Sequence, residues 1–431
     1  MPHSAFTLRK GAPDGRVGRF RPDDALLAPA RWRAPGRVGS RPALALVPAL
    51  IFILAAPGAT GAPPAFAKER PRVVFINPGI TGEVFWSLVS DTMQAAADQL
   101  DIDLTVHYAE RNRVMMRELG LAAVAAVPKP DALILVNEEQ AGLDLLEASN
   151  AQGIPTLMLL NDIVGKDRQI AGEPGGRLSH WLGALVPDNF SAGNRMAEAL
   201  IRFAQEKGRL REDGSIPIIA LYGDTVTPAS IDRNGGLKSV AATNPLLRLE
   251  HELTADWDRE KARLLTMRAL DRAVRLNRRP PVGIWAANDP IALGAVEALR
   301  AHGLVPGRDV GVVGLNWSPD ALKSIRDTCM LMSDGGHFFG GAWAMVVLRD
   351  HFDRAGAAPT RPAASAGPTI RFAMSPVDAS NIDSFSRSIG PIIIARDFKR
   401  VDFTGFTIGP NGNSADYDFS LPALIRAVGA Q

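Results

Sequence analysis

The chain has 431 residues, of which 46% are hydrophobic and 22% are charged. This composition is typical of a globular protein with room for two domains, and it excludes a disordered or fibrous chain. Residues 1–67 hold nine Lys or Arg and three Asp or Glu, a net charge of +6, so the rest carries −4 within the total of +2. Because no basic surface remains and no helix-turn-helix precedes the first strand, we do not expect nucleic-acid binding.

The first 67 residues have the pattern of an export signal. An apolar run at 42–56 follows Arg41 and leads to the small residues Ala65-Phe66-Ala67. This pattern predicts a signal peptide that is cleaved after Ala67. The alternatives are an uncleaved membrane anchor and a misread core segment.

From Arg72 onward, apolar segments of strand length alternate with segments of helical period, which predicts an α/β fold with parallel sheets covered on both faces. Two successive sets of strands indicate two similar Rossmann-like lobes rather than one wide sheet. The predicted strands are Val73–Asn77, Leu104–Tyr108, Ala132–Val136, Thr156–Leu160, Leu182–Val186, Ile216–Tyr222, Leu247–Leu253, Val282–Ala286, Val310–Leu315 and Pro391–Ala395. The predicted helices lie near 84–100, 113–126, 141–151, 162–178, 190–206, 230–243, 257–274 and 290–302.

Sequence motifs typical of enzymes are weak in this chain. GxxxxGK[ST], GxSxG and HExxH are missing from the sequence, and no pair of carboxylates stands out for acid-base catalysis. The single cysteine, Cys329, forbids an intramolecular disulfide. We interpret it as a small buried hydrophobe on a strand rather than a catalytic thiol. Binding is therefore a simpler interpretation than catalysis.

A set of motifs recurs in a specific order along the chain. The segments are Arg72–Trp86, Asn161-Asp162, Ser230–Gly236, Ala286–Ala295, Gly314–Asp320 and Ser333–Gly341. Over residues 72–355 they resemble the type I periplasmic substrate-binding proteins, typified by the ribose-binding protein and including the autoinducer-2 receptor of quorum sensing. The resemblance implies two six-stranded Rossmann-like lobes, a three-strand hinge and a ligand in the cleft between the lobes.

The resemblance also implies roles for individual residues. Phe85 and Trp86 stand where the family has an aromatic pair after its first strand, and Arg233 stands at the ligand-facing guanidinium. Asn288 is implied as a ligand contact and Asp289 as a helix cap.

Two other strand ends depart from the family pattern. Asn161-Asp162 ends the fourth strand, where relatives often have Asp-Arg, and Asn316 stands where they often have Asp. A change toward neutral side chains at these positions is compatible with a sugar or with a different ligand.

The residue types suit a sugar, which has apolar C–H faces and hydroxyl groups that donate and accept. Aromatic rings cover the apolar faces, amides donate and accept, a guanidinium donates, and carboxylates accept. The expected ligand-binding residues are Phe85, Trp86, Asn161, Asp162, Arg233, Asn288, Asn316 and Asp334, and Asn77 offers a further amide.

Some of these residues have structural alternatives. Phe85 and Trp86 are consecutive, so only one of them can face the core of a helix; we expect Trp86 to contact the ligand and Phe85 to pack. Trp317 is expected to pack. His337, between glycines and aromatics, is expected to pack at the hinge rather than bind a metal.

The lobes are predicted to be discontinuous in sequence. The leader spans 1–67, and the chain is expected to pass between lobes near 187–190, 333–337 and 375–391. One lobe comprises 71–187 with 336–375, the other 188–335 with 376–400, and 401–431 forms a tail that packs on the lobes.

The predicted function is that of a periplasmic solute-binding protein without catalytic, metal or cofactor chemistry. It captures a sugar or similar small polar ligand and delivers it to an ABC importer, and it is expected to be a monomer. One alternative is a receptor that docks on a membrane sensor kinase, because Ser333–Gly341 resembles the autoinducer-receptor branch. Another is an exported enzyme. A cytoplasmic repressor is disfavoured, because an apolar leader replaces the DNA-binding head.

Overall fold

The computed structural model describes residues 69–356 and 369–429. The predicted leader and most of the Pro- and Ala-rich stretch at 355–368 lie outside these residues. Two six-stranded sheets form the framework. The α/β class predicted from the sequence is confirmed.

The first sheet has the strand order β11-β5-β4-β3-β1-β2, and its strands are all parallel. In chain order the strands are β1 (Arg72–Asn77), β2 (Asp103–Tyr108), β3 (Ala132–Leu135), β4 (Thr156–Leu159), β5 (Trp181–Pro187) and, after the second sheet, β11 (Ile370–Phe372). The helices of this half are α1 (Val84–Gln99), α2 (Arg113–Ala125), α3 (Leu143–Ala151), α4 (Gly165–Ala171) and α10 (Gly340–Gly356). Strands β3 and β4 are buried along their whole length, because helices cover both faces of a parallel sheet.

The second sheet repeats this arrangement in the order β12-β10-β9-β8-β6-β7. Its strands are β6 (Ile216–Tyr222), β7 (Leu247–Thr254), β8 (Gly283–Ala286), β9 (Gly311–Leu315), β10 (Met332–Gly335) and β12 (Ser375–Asp378). The helices of this half are α5 (Asn189–Glu206), α6 (Pro228–Thr243), α7 (Arg259–Arg275), α8 (Asp289–Ala301), α9 (Pro319–Arg326) and α11 (Ile382–Arg387). The edge strand β12 runs antiparallel to β10.

The chain passes between the sheets at three places in the described residues, and after α11 it returns a further time to the first half, where Arg396 pairs with Asp91 of α1 at 3.2 Å. The first lies between β5 and α5, and the second between β10 and the 3-10 helix His337–Phe339. The third joins β11 to β12 at residues 373–374. The prediction of the third passage at 375–391 was wrong, because Ser375 already pairs with Gly335 in the second sheet. The lobe limits given above stay predictions; the end of the stretch 376–400 lies against the first half, because Arg396 pairs with Asp91 of α1.

Two details of the predicted elements were also wrong. Residues 391–395 are not a strand but part of helix α12 (Gly390–Ala395), with Pro391 in its first turn. Ile392 and Ile393 are buried and Ile394 is exposed, so burial does not alternate as in a strand.

The second detail is Cys329, which was expected to be buried on a strand. It lies in the loop before β10, where it is half-buried and its Sγ is 3.0 Å from Arg300 Nη2.

Two glycines bring helices α5 and α6 into close contact. A Cβ on Gly193 would lie 2.1 Å from the carbonyl oxygen of Arg233, and a Cβ on Gly236 would lie 2.2 Å from that of Phe190. Only glycine allows this approach of two backbones. The contact sets the position of the α6 turn that carries Arg233.

The tail after residue 400 lies on the helices of the first sheet, where it includes α13 (Leu421–Ala427). The fully buried Asp350 on α10 accepts hydrogen bonds from the backbone N–H groups of Ile408 and Gly409 and from the Tyr417 hydroxyl, at 3.1, 2.9 and 2.9 Å. Among the described residues, no helix combines the length and the hydrophobicity that crossing a bilayer requires.

Candidate functional site

A cavity of about 380 Å³ lies between the carboxyl ends of the strands of both sheets. This volume is within the range of small-molecule sites. Both halves of the molecule contribute side chains, because each half directs its strand ends toward the cleft. The cavity is lined by six of the eight residues predicted from the sequence: Phe85, Trp86, Asn161, Arg233, Asn288 and Asn316.

The two aromatic residues at the start of α1 both line the cavity but differ in burial. Trp86 is 4% exposed and packs tightly over Gly79, whereas Phe85 is half-buried. The Phe85 ring stacks on the His337 ring with centroids 4.5 Å apart, and Trp86 meets Phe85 edge to face at 5.2 Å. Consecutive residues of a helix point in different directions, and here the larger ring turns toward the core. Phe85 is therefore the ring with more surface available to a ligand.

Asn77 supports the aromatic pair instead of lining the cavity. Its side chain is fully buried and donates to the Trp86 carbonyl oxygen and to Ser90 Oγ, at 3.2 and 3.0 Å. Its own oxygen accepts from the Gly79 N–H at 2.9 Å. The amide thus holds the start of α1 against the end of β1.

Arg233 is a buried cation anchored by the second sheet. Its Nε donates to Asn189 Oδ1 at 2.8 Å and its Nη1 to the Ala287 carbonyl oxygen at 2.9 Å. Nη2 lies 3.4 Å from His337 Nε2. Burial lowers the pKa of Arg233 to about 10, so the group is still charged at neutral pH. The guanidinium also lies 5.6 Å from the ring of Trp257, a cavity residue that the sequence did not single out.

The first half contributes a carboxylate and a guanidinium that sequence reasoning missed. Arg111 binds Glu83 with Nε and Nη2 at 3.1 and 2.5 Å, and its Nη1 lies 3.6 Å from Glu138 Oε1. Burial raises the pKa of Glu138 to about 7, although Arg111 opposes the shift. Both residues follow directly on strands β2 and β3. A search of the residues that follow each strand, where open α/β sheets hold ligands, would have found them.

The helix-cap role that the resemblance implied for Asp289 belongs to Asn288. Asn288 caps α8, because its Oδ1 accepts from the Ile291 N–H at 2.9 Å. It also lines the cavity. Asp289 is fully buried and accepts from the Ser318 N–H at 2.8 Å and from Ser333 Oγ at 2.7 Å. Asp289 therefore ties the loop after β9 to strand β10, and burial raises its pKa to about 6.

The two predicted aspartates lie outside the lining of this cavity. Asp334 is fully buried and accepts from Arg195 Nε and Nη2 at 2.8 and 3.0 Å. Asp162 accepts from Thr369 Oγ1 at 3.0 Å and pairs with Arg168 at 3.2 Å, beside a neighbouring cavity of about 360 Å³. Each carboxylate is occupied by an arginine, because a buried charge is retained only when it is paired. Their expected contact with the ligand is not supported by this placement.

The remaining candidates also have partners within the protein. Trp317 is 1% exposed and its Nε1 donates to the Ser375 carbonyl oxygen at 3.0 Å, which confirms it as a packing residue. His337 is 2% exposed between Phe85 and Arg233, as expected of a packing residue beside a passage between the sheets. Burial and the nearby Arg233 cation hold the pKa of His337 well below its usual range. The ring is therefore neutral.

Residues 73–347 match the model of the periplasmic binding protein domain. The chain belongs to this family. Its architecture agrees with this assignment, because the solved neighbours of the family have the same paired α/β sheets.

Several named proteins are similar to this periplasmic binding protein. The ribose import binding protein RbsB of Escherichia coli strain K12 is 28% identical over 264 residues, which are 61% of this chain and 77% of that protein. The fructose import binding protein FruE of Bifidobacterium longum is 26% identical over 316 residues, 72% of this chain and 89% of that protein. The crystal structure of a periplasmic sugar-binding protein from Pseudomonas fluorescens is 31% identical, with a TM-score of 0.70 over 82% of this chain and 99% of that chain.

Proposed function

We propose that this periplasmic binding protein captures a neutral sugar or polyol in the cavity between its two sheets and delivers it to an ABC importer. The observation that carries the proposal is a cavity built from the strand ends of both halves, with aromatic faces beside amide, guanidinium and carboxyl groups. The names of its relatives as sugar import binding proteins support the same assignment.

The balance of charge around the cavity favours a neutral ligand. An anionic ligand would require excess positive charge, and a cationic one excess negative charge, because buried charges need partners. The lining has three cations and three carboxyl groups: Arg111, Arg233, Arg259, Glu83, Glu138 and Asp320. Arg111 and Arg259 are already paired, with Glu83 and Glu297. The Phe85 ring can lie against the apolar C–H face of a sugar, while the charged groups bond to its hydroxyls.

Capture involves closure of the two lobes about the three passages. Ligand contacts from both lobes stabilise the closed form, so the ligand shifts an equilibrium between open and closed molecules. Arg111 and Phe85 belong to the first lobe, whereas Arg233 and Asn288 belong to the second. A ligand that contacts both pairs therefore has higher affinity for the closed form.

Titration calorimetry with a panel of ribose, fructose, galactose, arabinose, myo-inositol and a charged sugar acid tests the proposal. We expect at least one neutral sugar or polyol to bind and the sugar acid to bind more weakly. Binding of only the charged compound, or of none together with turnover of a chromogenic glycoside, would overturn it. We expect no turnover.

Delivery to an importer, rather than docking on a sensor kinase, is the simpler role for a protein of this family. Genes for a permease and an ATPase beside the gene for this chain would support transport, and a histidine kinase gene would support signalling. Export to the periplasm, cleavage after Ala67 and a monomeric state stay predictions from the sequence.

Protonation of Glu138 is expected to make stability depend on pH. The pKa of Glu138 is about 7 in the folded protein and 4.5 in the free group, so the folded protein binds the proton of this carboxyl group more tightly. The free energy of unfolding therefore falls as pH rises from about 4.5 to 7. At about 1.4 kcal/mol per pKa unit, Glu138→Gln should be more stable than the wild type by about 3 kcal/mol at pH 8. Near pH 5 the folded proteins carry the same charge at this position, so the difference should be small there.

Urea denaturation of both proteins between pH 5 and 8 measures this difference. If the difference in free energy of unfolding between the variant and the wild type stays constant from pH 5 to 8, Glu138 is ionised in the folded protein over that whole range.

A further inference from the structure

The first turn of helix α6 takes its capping group from the opposite half of the molecule. The first N–H groups of a helix have no partner within the helix, and a side chain at the N-cap usually accepts one of them. Here Thr227 occupies the N-cap, but its hydroxyl donates to Asp224. The N–H of Ala229 instead donates to Asn161 Oδ1 at 3.0 Å. Asn161 follows strand β4 of the first sheet, so the cap spans the cleft.

The capping amide is held in place on its own side. Asn161 Nδ2 donates to Glu138 Oε2 at 3.3 Å, and the residue is only 4% exposed. The oxygen faces α6 and the nitrogen faces Glu138, so both ends of the amide have partners within the protein. This arrangement leaves Asn161 poorly placed to recognise a ligand, although it lines the cavity.

A second bond links the same two parts of the molecule. Gln140 Nε2 donates to the carbonyl oxygen of Val226 at 3.1 Å. Val226 and Ala229 belong to one segment at the start of α6, and Gln140 and Asn161 follow neighbouring strands β3 and β4. The first half therefore holds the start of α6 by one donor and one acceptor.

We propose that Asn161 is a closure latch: it caps α6 across the cleft in the closed form and leaves the helix uncapped when the lobes separate. This proposal rests on the proposed function, because it assigns to Asn161 the control of closure at the same site. Helix α6 also carries Arg233, so the latch positions the buried guanidinium against the first lobe. Asn161 is a positioning residue rather than a ligand contact.

A latch and a ligand contact have different consequences for affinity. The latch stabilises the closed form by the same amount whichever ligand is bound. Its loss therefore reduces the fraction of molecules in the closed form, and hence the affinity, equally for every ligand. Removing a cap side chain weakens a helix end by an amount equivalent to about twofold to thirtyfold in an equilibrium constant. Removing a ligand contact instead changes the ratio between ligands, because different ligands place different hydroxyls at that point.

The test compares dissociation constants for two neutral sugars or polyols from the panel above in wild type, Asn161→Ala and Asn161→Asp. We expect Asn161→Ala to weaken both ligands by the same factor, about twofold to thirtyfold. Asn161→Asp keeps an accepting oxygen but places a second carboxyl group beside Glu138, so it should bind closer to wild type than Asn161→Ala does at pH 5, where Glu138 is protonated and can donate to it. Asn316→Ala, at another cavity amide, should change the ratio of the two affinities. An unchanged affinity in Asn161→Ala, or a change for one ligand only, would overturn the latch.

A measurement without ligand separates this proposal from the proposed function. Fluorescent labels on cysteines introduced at Glu118 in α2 and Arg268 in α7, in a Cys329→Ser background, report the distance between exposed positions on the two lobes. We expect a longer average distance in Asn161→Ala than in the parent protein without any sugar. Equal distances would contradict the latch even if sugars bind, and a longer distance would support it even if no sugar of the panel binds.

Discussion

Trp86→Ala is expected to lower the free energy of unfolding by about 3–5 kcal/mol, because the substitution leaves a cavity in the core where the indole packs over Gly79. From the sequence, Trp86 was expected to contact the ligand and Phe85 to pack. The large stability effect is expected because the indole is only 4% exposed. Urea denaturation of the ligand-free protein measures the effect.

Phe85→Ala is the matched comparison for this prediction. The half-buried ring stacks on His337 and lines the cavity, so its removal should weaken sugar binding by about tenfold. We expect a smaller loss of stability than in Trp86→Ala. Val114→Ala, at a residue of α2 that is 65% exposed and outside the cavity lining, serves as the control and should change neither property appreciably. Equal loss of stability in the Phe85 and Trp86 variants would show that both rings are structural.

Arg233→Met is expected to weaken sugar binding by more than tenfold. A hydrogen bond to a charged group contributes about 1.5–3 kcal/mol, which corresponds to roughly ten- to 150-fold in affinity. The variant should also be less stable, because Asn189 Oδ1 and the Ala287 carbonyl oxygen lose their donor in a buried place. Calorimetry well below the unfolding temperature separates the loss of binding from the loss of fold.

Arg233→Lys sharpens the interpretation. A lysine keeps the charge but cannot donate to Asn189, Ala287 and a ligand with the geometry of the guanidinium. We therefore expect it to bind sugar much more weakly than wild type. Arg259→Ala removes another cation of the cavity wall, one that is half-exposed and paired with Glu297 at 2.6 Å, and should have a small effect. Wild-type affinity in Arg233→Lys would mean that charge alone matters at this position.

The limits of strands and helices predicted from the sequence are most accurate where apolar residues recur at a regular spacing. Strand β6 was predicted at its exact limits, and α1, α5 and α8 within a residue or so, because apolar residues must repeat with the geometry of the element that buries them. The resemblance of the chain's motifs to a known family also placed Phe85, Arg233 and Asn316 at one cavity, and parallel strands direct their carboxyl ends to the same edge. Local pattern failed at Pro391–Ala395, where three isoleucines suggested a strand but form a helix.

By itself the sequence determined the α/β class and the two sets of strands, because both depend on hydrophobic period along the chain. Its motifs and their resemblance to a known family also placed six of the predicted residues at the cavity. Only the tertiary structure decided which polar atoms already have partners. Asp334 is taken by Arg195, and Asn161 caps a helix across the cleft. These pairings join residues that are 139 and 68 positions apart, and a hydrogen bond forms only within a few tenths of an ångström of its optimum distance. No local pattern specifies that placement.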